Sequence, residues 1–229
     1  MQQDKTVVLA LDSSSAPLLL ALKAGGKTYT AKHGGIKQEE YLFTIIRRLY
    51  AKAGVKFNAT THFFFVKGPG RFTGIRIGIT LASMLNSLLN THAASADIFE
   101  ILKLQAESSK EYKNWLKANP QGIIAVVVHA FREEYFACVY DGENKPVWLS
   151  FEALQDLLAK QQKPLFITGW DKERLPLSGV LSKKYTYATA KISKVLPQTM
   201  LDLALAERED KNVLEPLYLK PARFELVQK

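Results

Sequence analysis

The sequence predicts an α/β protein of two lobes, each built on a strand-strand-strand-helix-strand plan. Three observations carry this. Short runs rich in Val, Leu, Ile and Phe stop at Gly-, Pro- or Asp-containing turns, as buried strands do. Two long segments, Gln38 to Ala53 and Gly74 to Asn90, show helical periodicity. The same order of elements is met on both sides of a polar stretch at 108–121, a duplication of topology without a residue-level repeat. The first lobe with its partner-binding helices is expected over 1–108, and the second lobe, a C-terminal helix and a tail over 109–229.

Thr6 to Asp12 is an apolar strand ending in a carboxylate, followed by Ser13-Ser14-Ser15. Leu18 to Leu22 and Lys27 to Ala31 flank Gly25-Gly26, the signature of a hairpin. Gln38 to Ala53 reads as a helix with Gly54 as its stop. On it Tyr41, Leu42, Phe43, Ile45, Ile46, Leu49, Tyr50 and Ala53 cover an arc of about 200°, roughly twice what one core requires. His62 to Val66 is a buried strand that runs into Gly68-Pro69-Gly70-Arg71-Phe72-Thr73-Gly74. There the glycines permit a tight turn, and Thr73 is expected to cap the next helix. That helix repeats the excess with Ile75, Ile77, Leu81, Ala82, Met84, Leu85, Leu88 and Leu89, and Arg76 is its only charge. Two neighbouring helices with more apolar face than a sheet can cover predict a helix-on-helix contact with another chain.

A short extended piece and a helix over 93–107 close the first half, and 108–121 reads as a polar crossover. Gly122 to Ala130, Glu134 to Tyr140 and Pro146 to Leu149 are then strands, Phe151 to Gln161 a helix and Pro164 to Thr168 a strand. No order is assigned over 171–197. Gln198 to Arg208 reads as a last helix, and the proline-bracketed segment 215–221 as an extended tail along a surface or sheet edge.

At 229 residues the chain can bury a substantial core. Its one cysteine, Cys138, sits mid-strand and forms no intrachain disulfide, which fits a reducing compartment. Apolar runs are cut short by Asp12 and Lys23, so neither a secretory leader nor a membrane span is read, and a soluble cytoplasmic protein is expected. The net charge of +9 invites an acidic partner such as RNA, although the 31 Lys and Arg form no dense block.

The glycine turn delivers a strand to a helix N-terminus, where backbone N–H groups can hold an anion. The candidate anion or nucleotide contacts are therefore Asp12, Ser13, Gly70, Thr73 and Gly74, against the plainer reading of a turn that only packs. Neither phosphate fingerprint fits: a P-loop needs Lys-Ser/Thr where Gly74-Ile75 stands. His33, His62, His92 and His129 lack metal-ligand spacing, and no serine lies in a nucleophile elbow. No metal site and no catalytic residue are assigned.

A duplicated βββαβ plan whose first strand ends in Asp12 resembles the actin, sugar-kinase and Hsp70 ATPase (ASKHA) fold. Enzymes of that fold use a strand-end carboxylate in each half, and the matching strand here ends Val128-His129-Ala130-Phe131. One carboxylate is poor equipment for phosphoryl transfer. An autonomous ATPase or sugar-kinase relative using Asp12 is the alternative reading, and a stand-alone RNA-binding module rests on charge alone.

Asp12-Ser13-Ser14-Ser15, the loop from Gly68 through Gly78, Arg132-Glu133-Glu134 and Pro216-Leu217-Tyr218-Leu219-Lys220 resemble the TsaB (YeaZ) family in order along nearly the whole chain. Arg71, Ser14 and His129 depart from its usual Ser, Thr and Asp. The resemblance implies a two-lobed actin-like fold with a reduced second lobe, and a non-catalytic activator subunit of the bacterial complex that makes threonylcarbamoyladenosine at position 37 of tRNA. It implies a heterodimer with the catalytic paralogue TsaD through the two apolar helices, further subunits, a homodimer when alone, and only indirect contact with tRNA. The expected interface residues are Tyr41, Leu42, Ile45, Ile46, Leu49, Arg76, Leu81, Met84, Leu85 and Leu88. No cofactor is expected on the isolated chain, with ATP and magnesium bound only in the complex.

Overall fold

The computed structural model of the chain describes residues 6–34, 38–169, 184–206 and 212–220. In chain order the elements are β1 (Val8–Asp12), β2 (Leu18–Ala24), β3 (Lys27–His33), α1 (Gln38–Ala53), β4 (His62–Val66), α2 (Phe72–Leu89), β5 (His92–Ala96), α3 (Ile98–Ser108), α4 (Lys110–Ala118), β6 (Ile123–Phe131), β7 (Glu134–Val139), β8 (Val147–Ser150), α5 (Phe151–Ala159), β9 (Leu165–Thr168), β10 (Tyr185–Tyr187) and α6 (Pro197–Leu205). They form two compact units, 1–98 with 196–218 and 99–195 with 219–229.

The first unit holds a five-stranded sheet in the order β3-β2-β1-β4-β5. β1, β2 and β3 are antiparallel, while β4 and β5 run parallel to β1. The hairpin turn is Gly25-Gly26, as read from the sequence, and both glycines have positive φ. Leu9, Leu11, Phe63 and Phe65 share a core with Leu42, Ile46 and Leu49 of α1 and Leu81, Ala82 and Leu85 of α2. Val8, Ala10 and Phe64 alternate onto the other face and are also fully buried. Strands covered on both faces read as unbroken apolar runs, which is why His62–Val66 shows no alternation.

The second unit repeats the plan. Its sheet reads β8-β7-β6-β9-β10 from its far edge, with three antiparallel strands followed by two parallel ones. This is the two-lobed α/β ASKHA plan expected from the sequence. Cys138 is buried in β7 as a small core residue.

Three expectations are corrected. The polar crossover at 108–121 contains α4, whose N-cap Ser109 accepts a hydrogen bond from the Tyr112 N–H at 3.0 Å. Tyr112 and Trp115 then lay a narrow stripe on Phe166, hidden in the sequence by the lysines around it. The last helix, assigned to the second lobe, packs on β1, β2, β4 and β5 of the first, and the boundary between units falls at 98 rather than 108. The expected extension of α6 to Arg208 lies outside the described residues. β10, in the unordered stretch, completes the second sheet by pairing with β9, while 170–183 are outside the described residues.

α2 is long and apolar enough to cross a membrane by length and composition, with a mean hydropathy of 1.3 over 18 residues. Its apolar residues Ile75, Leu81, Ala82 and Leu85 are nevertheless committed to the sheet, since each is at most 3% exposed.

Candidate functional site

The serine turn after β1 and the glycine loop after β4 lie against each other in the first unit. The Arg71 N–H donates to the Ser14 carbonyl at 2.7 Å, and the Ser13 hydroxyl donates to the Gly74 carbonyl at 2.7 Å. A Cβ on Gly70 would stand 2.2 Å from the Ser14 oxygen, and one on Gly74 1.8 Å from the Ser13 oxygen. The glycines thus admit another stretch of this chain's own backbone. Ser13, Leu18, Glu39, Leu42, Arg71, Gly74 and Ile77 leave a cleft of about 10 Å³ here, room for a single water. α2 begins at Phe72 with Arg71 as N-cap and no side-chain cap, so the expected Thr73 cap is not made. Of the candidate anion contacts, Asp12, Ser13, Gly70 and Gly74 come together as a packed turn, with Thr73 exposed beside them.

Asp12 is 2% exposed. Its Oδ1 accepts from the Ser14 N–H at 2.9 Å and the Ser14 hydroxyl at 2.7 Å, and its Oδ2 from the Ser15 hydroxyl at 2.9 Å. Burial raises its pKa above the ordinary 3.8, and the serine hydrogen bonds oppose that shift. A carboxyl that holds its proton more tightly when folded favours folding below pH 3.8, and this contribution is lost as pH rises through the folded value. Asp12→Asn keeps an acceptor for Ser14 and carries no charge. It is expected to melt higher than the parent at about pH 8 and to show a smaller melting difference between about pH 4.5 and 8. Asp12→Ala strands the buried Ser14 N–H and should lose about 1–3 kcal/mol in urea unfolding.

The two apolar helices are half-used by their own unit. Leu42, Ile46, Leu49, Leu81 and Leu85 are at most 4% exposed and belong to the core, so these five are withdrawn from the expected partner interface. Tyr41 and Leu88 are exposed, at 47% and 74%, Arg76 is exposed, and Ile45 and Met84 are half-buried. Phe43, in the apolar arc of α1 but not among the expected interface residues, is 58% exposed. Arg76 lies with its guanidinium 3.9 Å from the Phe72 ring centre, and Phe72 stacks at 5.0 Å on Tyr218. The Leu217 N–H of the tail donates to the Lys67 carbonyl at 2.8 Å, so the tail as far as Tyr218 belongs to the first unit, although the sequence placed it in the 109–229 range with the second lobe. No local pattern reveals that contact, because the partners are 150 residues apart in the sequence.

Within the second unit, two of the sequence motifs meet. Lys220 pairs with Glu134, and its ammonium lies 5.0 Å from the Trp148 ring and 6.0 Å from the Phe131 ring. His129 bonds the Arg132 carbonyl through Nε2 at 2.7 Å and so closes the β6–β7 turn. His62 and His92, remote in sequence, stack across β4 and β5 at 5.3 Å. Burial, and then His92, lower the His62 pKa below 6.5. Among the described residues no third ligand joins them to make a metal-binding group.

The family model described as TsaD: tRNA N6-adenosine threonylcarbamoyltransferase matches residues 21–144. The chain is similar to the tRNA threonylcarbamoyladenosine biosynthesis protein TsaB of Buchnera aphidicola subsp. Schizaphis graminum, 24% identical over 195 residues covering 81% of this chain and 90% of that protein. It is similar to TsaB of Haemophilus influenzae at 24% identity, covering 67% of this chain and 62% of that one. Of solved structures, a Pseudomonas aeruginosa protein described as similar to peptidase YEAZ matches with a TM-score of 0.65 at 19% identity, over 94% of this chain and 100% of that one. YeaZ from Pseudomonas aeruginosa matches at 0.59 and 19%, over 87% and 90%.

Proposed function

The chain belongs to the family described by the TsaD threonylcarbamoyltransferase model, among relatives named TsaB and YeaZ, and from that premise we propose that it is a non-catalytic partner subunit in tRNA threonylcarbamoyladenosine biosynthesis. Its partner is a TsaD transferase, bound through the outer surface of α1 and α2. One observation carries this reading. After the sheet has covered the inner stripes of both helices, Phe43 and Leu88 remain 58% and 74% exposed, with Ile77 and Met84 half-buried. Large apolar side chains in water on adjacent helices favour a protein contact.

The same surface would pair two copies of the chain when TsaD is absent. ATP and magnesium belong to the assembled complex in this reading. The competing ATPase reading needs a carboxylate that can face a hydrated cation. Asp12 instead has both oxygens engaged by Ser14 and Ser15.

Phe43→Glu places a charge at an exposed position and should leave the melting temperature of the isolated chain nearly unchanged. In calorimetric titration against TsaD it is expected to weaken association by at least about 10-fold, since a desolvated unpaired charge is costly in an interface. Unchanged affinity would remove the helix surface from the proposal. Magnesium-dependent ATP turnover by the isolated parent chain, lost in Asp12→Asn, would favour the enzyme instead.

A further inference from the structure

A groove of about 280 Å³ runs between the edge strand β3 and the flank of α1. Its rim carries Lys32 and His33 from the strand and Arg48 and Lys52 from the helix, over an apolar floor that includes Ile45. Lys32, Arg48 and Lys52 are all exposed, and among the described residues no carboxylate pairs with any of them. Arg48 and Lys52 are one helical turn apart, so their like charges face each other. Among the described residues no carboxylate offsets that repulsion, and a polyanion laid in the groove would. At one end Tyr41 is 47% exposed, with its ring 4.4 Å from that of His33. It stands one turn before Ile45 on the same flank, an aromatic surface next to a row of cations.

We infer that this groove is a docking track for the phosphodiester backbone of RNA, with Lys32, Arg48 and Lys52 on phosphates and the Tyr41–His33 pair against a base. The pairing of a row of cations with a flat aromatic surface favours RNA over an acidic peptide, which has no base to stack. The identity of the RNA as tRNA rests on the proposed pathway role; the charge and shape of the groove do not. The cations of the track lie away from Phe43, since Lys52 is half a turn around α1 from it at 100° per residue, and Tyr41 and Ile45, expected from the sequence at the partner interface, are assigned to the track instead. The dispersed lysines and arginines of the sequence thus become a local cluster through the pairing of a strand with a helix.

The test uses the full chain and a fluorescent tRNA transcript with adenosine at position 37, with anisotropy read across a salt series. The triple variant Lys32→Glu, Arg48→Glu, Lys52→Glu is expected to bind at least about 10-fold more weakly, with a log Kobs against log salt slope smaller by about 2–3. Tyr41→Ala should weaken binding without changing the slope. Phe43→Glu should retain parental tRNA affinity while losing TsaD, so failure of the groove and failure of the partner surface give different results. If the triple variant unfolds, the glutamine version of the same three positions replaces it, with the same loss expected. Parental affinity and slope in a folded variant would overturn the inference, as would displacement of tRNA by polyglutamate as effectively as by unlabelled tRNA.

Discussion

Gly74→Ala is expected to destabilise the first unit by more than about 3 kcal/mol, a large share of the roughly 5–15 kcal/mol that holds a domain folded. The added Cβ would stand 1.8 Å from the Ser13 carbonyl oxygen and 2.7 Å from its carbon. The Ser13 side of this clash is main chain and the Cβ position is set by the Gly74 backbone, so no side-chain rotation relieves it; β1 and α2 must separate. Urea unfolding of the isolated chain measures the loss, with falling soluble yield as a second readout. The experiment also divides two explanations of the glycine loop. A loop kept open for a phosphate would lose ligand affinity on methylation and keep its stability. A loop kept open for Ser13 loses stability with no ligand present. A variant melting within a degree or two of the parent would contradict the packed-turn account.

Leu85→Glu and Leu88→Glu, three residues apart on α2, should have opposite consequences. Leu85 is 1% exposed in the core of the first unit. Its replacement forfeits about 2–3 kcal/mol of apolar burial and adds the several kcal/mol needed to bury an unpaired carboxylate or to protonate it. Circular dichroism is expected to find the first unit unfolded. Leu88 is 74% exposed, and its replacement should change stability by no more than about 0.5 kcal/mol. Its effect appears against TsaD, as at least about a 10-fold loss of affinity in the proposed complex. A folded Leu85→Glu chain that merely failed to bind would show that the sheet does not need that face of α2. Equal TsaD affinity for Leu88→Glu and the parent would show that the exposed face is not the contact.

Much of the fold was legible because its signals are local. Lys27 to Ala31 behind Gly25-Gly26, Gln38–Ala53 ahead of Gly54, and the run His62–Val66 each carry their period or their stop within a dozen residues, and each is found where expected. The doubled plan read along the chain is met in both sheets, which share one strand order. α4 was missed because Tyr112 and Trp115 make too narrow a stripe among lysines, and β10 because three residues are too few to show a period. Neither failure reflects an unusual element. Both are short elements held by distant partners, Phe166 for α4 and β9 for β10.

The candidate site shows the same division more sharply. Asp12, Ser13, Gly70 and Gly74 were singled out from spacing alone, and they do come together. That they close on each other is a matter of two hydrogen bonds between segments about 60 residues apart. The sequence by itself determined the α/β class, the doubled plan, the breadth of the apolar arcs on α1 and α2 and the excess of positive charge. Tertiary structure alone decided that Leu85 is core while Leu88 and Phe43 face water, that α6 returns to the first sheet, and that three scattered cations line one groove. Periodicity is set by bonded geometry within a few residues, whereas burial and the company a charge keeps depend on segments far away in the chain.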